Sequence, residues 1–261
     1  MTKATNLAVV TGASRGIGRE IAATLARHGW DIAFSHLGDA AEVAETTALI
    51  EATGRKALGR RCDVGLKDEV WAFYAEVLKT FGRAPDLLVN NAGVQTWASL
   101  LELAESDWDR VIRTNLKGTF LNTQRAAQLM VEHQIRGSIV NLGSACNKVA
   151  FPRLVDYTAS KGGIEQFTKV SATELGPHGI RVNCVAPGAI EHERTKLEAP
   201  DYAATWAAIT PLGRVGTTTD VAKVVHYLAT DAADFVTGQT IYVDGAAFTM
   251  PNWPYPGGKK G

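Results

Sequence analysis

The chain has 261 residues, 46% of them hydrophobic, and its 27 Lys+Arg balance 27 Asp+Glu. That neutrality argues against a nucleic-acid-binding protein, though a local basic patch is compatible with it, and no run of about 18 apolar residues offers a membrane-spanning helix. Cys62, Cys146 and Cys184 lie far apart with no C-x-x-C pair, and the six histidines show no metal-ligand spacing. A disulfide scaffold and a metal site are therefore not expected, and a reduced, cytoplasmic protein is. The N-terminal apolar stretch is too short for a signal peptide.

In chain order, short apolar runs predict strands at 7–10, 32–34, 56–61 (the weakest), 87–89, 138–142, 181–185 and 240–243. Between them, a 3.6-residue apolar period predicts helices at 16–28, 40–53, 67–81, 105–133, 157–175 and 219–230. In the fifth of these, Ile164, Phe167, Val170, Ser171 and Leu175 fall on one face. Strands alternating with helices of this length imply βαβ crossovers and a parallel sheet covered on both faces. The expectation is one doubly wound α/β domain over residues 1–249, with a mostly parallel seven-stranded sheet flanked by helices. The tail, 250–261, holds three of the nine prolines and cannot be helical. It is expected to be partly disordered, or packed on a neighbouring subunit through Trp253 and Tyr255.

The first strand runs into Thr11-Gly-Ala-Ser-Arg-Gly-Ile-Gly18 and then a helix, with glycines at 12, 16 and 18. Missing Cβ atoms let the backbone approach a pyrophosphate, and the helix aims its free N–H groups and positive dipole end at it. In this strand–turn–helix setting the pattern points to a dinucleotide-binding Rossmann domain. Later, Tyr157 and Lys161 stand one helical turn apart on one face, and Ser144 ends a predicted strand. A phenol beside an ammonium is activated for proton transfer near neutral pH, as carbonyl/alcohol interconversion requires.

Together with Asp63-Val64, Asn90-Asn-Ala-Gly93, Asn115 and Pro187-Gly188, these motifs resemble the short-chain dehydrogenase/reductase family in order and spacing over nearly the whole chain. The glucose-dehydrogenase-like and 3-oxoacyl-carrier-protein-reductase-like members look most similar. The resemblance implies an NAD(P)-dependent oxidoreductase acting on CH–OH groups. It makes Tyr157 the proton donor and acceptor and gives Ser144 the substrate carbonyl to orient. Lys161 would bind the nicotinamide ribose, and Asn115 would hold a water for the proton relay. It also implies cofactor contacts from Gly12, Ser14, Arg15, Gly16, Ile17 and Gly18, and from Ser35 and His36. Asp63 and Val64 would lie at the adenine, Asn90, Ala92 and Gly93 at its ribose, and Pro187, Gly188 and Ile190 at the nicotinamide, joined there by Tyr157 and Lys161. One departure is visible. Where the family carries a threonine two residues after the isoleucine, this chain has His192, with Thr195 three residues later. Either could meet the carboxamide, or His192 could face the substrate.

The second strand ends in Ser35-His36-Leu37, without a carboxylate for a ribose 2′-hydroxyl, and Arg15 is placed for a 2′-phosphate. NADP is expected, with NAD possible. Gln95, Trp97, Asn147, Arg153 and His192 are the candidate substrate contacts, a mixed polar set that suits a small substrate such as a sugar or polyol. A 3-oxoacyl-carrier-protein reductase is the alternative, and Lys117, Arg125 and Arg136 are the basic residues near an acidic carrier. A catalytically silent nucleotide sensor is the alternative of another class, and the retained Tyr157 and Lys161 weigh against it. Family members often form homotetramers. Here the helix at 105–133 and the segment 237–248 are the expected contacts, with Gly118, Ala126 and Ala127 allowing close approach.

Overall fold

Leu7–Val10 (β1) is apolar at all four positions, and all four residues are buried. A strand covered on both faces needs that composition. Ala8 and Val10 join one core with Ile21, Leu25, Phe34 and Val225, while Leu7 and Val9 join a second with Phe73, Tyr74, Leu121 and Met130. The two-residue alternation of side chains thus makes β1 the partition between two helical layers.

The computed structural model describes residues 5–249, and the expectations for the tail at 250–261 lie outside them. Asp31–His36 (β2), Ala57–Arg61 (β3), Leu87–Asn90 (β4), Ser138–Leu142 (β5) and Arg181–Pro187 (β6) follow β1. Ile190–Glu191 (β7) and Gly216–Thr217 (β8) form a small pair of their own, and Thr240–Val243 (β9) closes the main sheet. The order is β3-β2-β1-β4-β5-β6-β9, and every neighbouring pair is parallel. The polar β3, with Arg61 exposed, is an edge strand, where charge is tolerated.

The helices are Gly16–Arg27 (α1), Ala40–Glu51 (α2), Lys67–Phe81 (α3), Glu105–Val111 (α4), Gly118–Glu132 (α5), Val155–Leu175 (α6), Glu193–Glu198 (α7), Tyr202–Ile209 (α8) and Thr218–Ala229 (α9). Three findings differ from the sequence expectation. The long helix at 105–133 is interrupted by a π-helical stretch, Ile112–Lys117, which carries Asn115. The segment between β6 and α9 contains α7, α8 and the β7–β8 pair rather than plain loop. On α6, Val170 is 58% exposed, and hydroxyls take part of the inward face. Thr168 is fully buried because its Oγ1 donates to the Ile164 carbonyl (2.8 Å) and accepts from Asn141 Nδ2 (2.9 Å).

That last bond belongs to a buried polar chain beneath the carboxyl ends of the strands. Asn90 Nδ2 donates to Asn141 Oδ1 (2.8 Å) and to Thr123 Oγ1 (3.0 Å), so β4, β5, α5 and α6 are fastened together there. Asn90 Oδ1 itself accepts no hydrogen bond, so the three bonds tie these elements together while one buried acceptor stays unpaired.

Candidate active site

The glycine turn is built by contacts that only glycine allows. Gly12 has φ +64, and a Cβ on it would come within 2.8 Å of the Ala92 Cα. A Cβ on Gly18 would run into the Asn91 amide and the Gly12 carbonyl. Gly16, at φ +58, faces open space. Behind the turn, Asn91 Nδ2 donates to the carbonyls of Thr11 and Gly12, each at 2.9 Å, and Thr11 Oγ1 accepts from the amides of Asn91 and Ala92. Asn91 and Thr11 therefore lock the turn, roles that the motif alone does not assign. Ser35 Oγ accepts from Gly12 N (3.3 Å), which commits it to the protein. The start of α1 has no side-chain cap and no acidic residue in its first turn. An open turn leading into an uncapped helix N-terminus fits a pyrophosphate.

Of the residues expected around adenosine, Ser14 is buried and Arg15 is 63% exposed in its side chain. Burial holds the His36 imidazole below its usual range, with the Gly38 backbone acting the other way. Asp63 accepts from Gly65 N (2.9 Å) and faces Arg113 at 3.4 Å, and Val64 is buried beside Gly118. Asn90 is 4% exposed and spent on the buried polar chain.

Ser144, Tyr157 and Lys161 line one cleft of about 590 Å³ with Ile17, Gly93, Pro187, Gly188 and Ile190. Lys161 Nζ lies 5.4 Å from the Tyr157 ring centroid and donates to the Leu142 carbonyl at 2.6 Å. Lys161 is 4% exposed. Burial pulls its pKa down to about 8, with Cys184 and Cys146 opposing. Ser144 Oγ accepts from Cys146 N (3.3 Å), and the Ser144 amide donates to Asn147 Oδ1 (3.2 Å). Asn115 is fully buried, and its amide is occupied. Oδ1 accepts from Val94 N (2.8 Å), while Nδ2 donates to the Val94 carbonyl (2.9 Å) and to Ser160 Oγ (3.0 Å). The side chain clamps the loop after β4 to α6, with both amide hydrogens used in doing so.

Gln95, Trp97 and His192 line the cleft, and Thr195 does too. His192 N donates to Thr195 Oγ1, which donates in turn to the His192 carbonyl, both at 2.9 Å, so both residues are held at the cleft by one cap. Asn147 and Arg153, the other two candidate substrate contacts, are not among the residues lining the cleft. Asn147 turns back to hold Ser144 and reaches Cys184 Sγ (3.8 Å), and Arg153, at φ +68, points its side chain to solvent while its carbonyl accepts from Ala98 N (3.0 Å). An aromatic wall was missed. Phe248 packs edge-on against Phe151 (5.3 Å) and Trp206 (5.8 Å), with Tyr202 beside Trp206, and all four line the cleft. The Tyr202/Trp206 pair, four apart on α8, was the available signal.

A glycine turn at the head of α1, with a tyrosine, a lysine and a strand-end serine around one cleft, defines a dinucleotide-dependent oxidoreductase of the Rossmann class. The chain belongs to the short-chain dehydrogenase/reductase family, and residues 12–246 match the family model described as enoyl-(acyl carrier protein) reductase. It is 41% identical over 246 residues to the 3-oxoacyl-[acyl-carrier-protein] reductase FabG of Staphylococcus aureus (strain Mu50), covering 94% of this chain and 99% of that one. It is 39% identical over 249 residues to the (3R)-3-hydroxyacyl-CoA dehydrogenase of Mus musculus, covering 93% and 96%. The crystal structure of acetoin dehydrogenase from Enterobacter cloacae superposes with a TM-score of 0.89 at 35% identity, over 98% of this chain and 100% of that one. The protein is an NAD(P)-dependent oxidoreductase acting on CH–OH groups. Among the described residues, no helix is long and apolar enough to cross a membrane.

Proposed function

We propose that this chain interconverts a small secondary alcohol and its ketone with NADP, using Tyr157 as acid and base. The observation that carries the reading is the placement of Tyr157, Lys161 and Ser144 around one cleft, with the Lys161 ammonium 5.4 Å from the phenol ring. In the alcohol-to-ketone direction the Tyr157 oxygen takes the hydroxyl proton, and in reverse it returns it. Lys161 stabilises the charge that develops on that oxygen. Ser144, its Oγ set by Cys146 N, donates to the substrate oxygen and fixes its orientation. Gly12, Gly16, Ile17 and Gly18 would hold the pyrophosphate, Arg15 the 2′-phosphate, and Pro187, Gly188 and Ile190 the nicotinamide, with His192 or Thr195 at its carboxamide. The bound cofactor supplies the carbon centre that exchanges a hydride with the substrate.

Gln95 and His192 offer polar contacts that favour a sugar or polyol. The wall of Phe151, Trp206 and Phe248 favours a second reading, a 3-oxoacyl thioester, in keeping with the 41% identical reductase. Cofactor absorbance with a panel of sugars, polyols and 3-oxoacyl thioesters separates the two. Turnover confined to thioesters would overturn the sugar reading, and turnover of none would favour a silent nucleotide sensor. Lys117, Arg125 and Arg136 lie outside the cleft lining, and Arg125 is stacked 5.9 Å over Trp71.

The reading extends to a cytoplasmic homotetramer. The three cysteines are buried and unpaired, as a reducing compartment keeps them. The outer faces of α5 and α6 carry an apolar groove of about 500 Å³ that includes Phe120, Val131, Phe167 and Leu175. Gly118 and Ala126, expected at that contact, are turned inward instead, Gly118 against Val64 and Ala126 into the core, and Ala127 is 6% exposed at the groove floor.

A further inference from the structure

Although β2 ends without a carboxylate, one occupies the space beyond it. Glu42, in the first turn of α2, reaches back to the glycine turn, where its Oε2 accepts from the Ser14 hydroxyl and its Oε1 pairs with Arg15 Nη1, both at 3.2 Å. Oε2 also lies where a Cβ on Gly38 would be, so the carboxylate settles there because that residue is glycine. The backbone of Glu42 is fixed. Asp39 accepts from its amide at 2.9 Å, and Thr46 Oγ1 and Arg19 Nη2 donate to its carbonyl at 3.2 and 3.4 Å. Its side chain is 24% exposed.

With a pyrophosphate on the N-terminus of α1, the adenosine ribose lies between the end of β2 and the glycine turn. Ser14, Arg15 and Glu42 converge there. A ribose 2′-hydroxyl can donate to a carboxylate. A 2′-phosphate is repelled by one and needs the guanidinium that Glu42 already holds.

We propose that Glu42 sets this chain's choice of cofactor: its carboxylate receives a 2′-hydroxyl and competes with a 2′-phosphate for Arg15. The inference rests on the dinucleotide reading above. Arg15 serves the phosphate once released, and Glu42 keeps NAD within reach rather than excluded.

The test measures dissociation constants for NADPH and NADH, by cofactor fluorescence, in the wild type, Glu42→Gln, Arg15→Ala and the double variant. Glu42→Gln should tighten NADPH about tenfold, the scale of removing a carboxylate from beside an anion at a partly solvated surface, and should leave NADH unchanged or weaker. In the Arg15→Ala background that gain should shrink, the non-additivity expected of one shared contact. Glu42→Ala, with its fold checked by circular dichroism, should give the same sign. Equal shifts for both cofactors, or none for NADPH, overturn the proposal. A wild type that prefers NADH overturns the NADP reading while the Glu42 inference stands, provided the variant still moves the ratio. Binding of neither cofactor overturns both.

Discussion

Lys161 is charged at a cost, because it sits in a pocket that strips its water and returns one carbonyl, that of Leu142. Its pKa of about 8 lies below the ordinary 10.5, so between those values the unfolded chain holds a proton that the folded chain has released. Stability should therefore rise with pH across that window. Denaturant titrations should show the wild type gaining up to about 3 kcal/mol relative to Lys161→Met between the two limits. A difference that stays flat contradicts the buried cation. Cys62, pushed up to about 12 by burial, and Tyr74, also raised, act in the opposite sense and cancel in the comparison. Tyr157→Phe removes only the oxygen, so turnover should fall below about 1%, the loss expected of a general acid and base, with cofactor affinity kept. Retention of more than a few per cent of activity in a steady-state assay would remove Tyr157 from its role. At this scale, much was legible. The tyrosine, lysine and serine are recognisable because two share a helix turn and the third ends a strand. Position in the chain does not say which way a side chain turns: Asn147 folds back on the Ser144 amide, and Arg153 is exposed.

The elements that carry the site were unevenly legible. Strands with unbroken apolar runs and helices with a clear period were placed to within a few residues. The π-helical stretch was not legible, since such single-turn inserts are rare interruptions of an otherwise α-helical segment. It sets Asn115 where it clamps Val94 and Ser160. The aromatic wall was hidden because Phe151, Trp206 and Phe248 come from three distant segments. The glycine turn allows a sharper test. Gly16→Ala meets only left-handed strain, so thermal unfolding should show a loss of about 1 kcal/mol while cofactor binding falls sharply, the new methyl standing in the open turn. Gly12→Ala adds a backbone collision at 2.8 Å and should cost about 3 kcal/mol or more, affecting folding as well as binding. Equal stability losses for the two would refute this division between a turn that is packed and a turn that is kept vacant.

At the scale of the molecule, the described residues carry a cleft at the carboxyl ends of the strands and an apolar groove on α5 and α6. If copies pair through that groove, Phe167→Glu should place a charge in an apolar contact and reduce the sedimenting species from tetramer to dimer or monomer at micromolar concentration. A wild type that sediments as a monomer would rule out the assembly. The all-parallel sheet carries one more consequence, and it concerns time. β1 lies in the interior of the sheet, third in the order, and pairs with β2 on one side and with β4 on the other. The amide of Leu7 is met by Asp86 Oδ2, a partner 79 residues later. At synthesis rates of about 5–20 residues per second, the most apolar strand of the protein leaves the ribosome seconds before its second neighbour exists. Half of a future interior is an open edge for that interval. Refolding should accordingly be slow and lose yield as concentration rises, because another chain can reach that edge first.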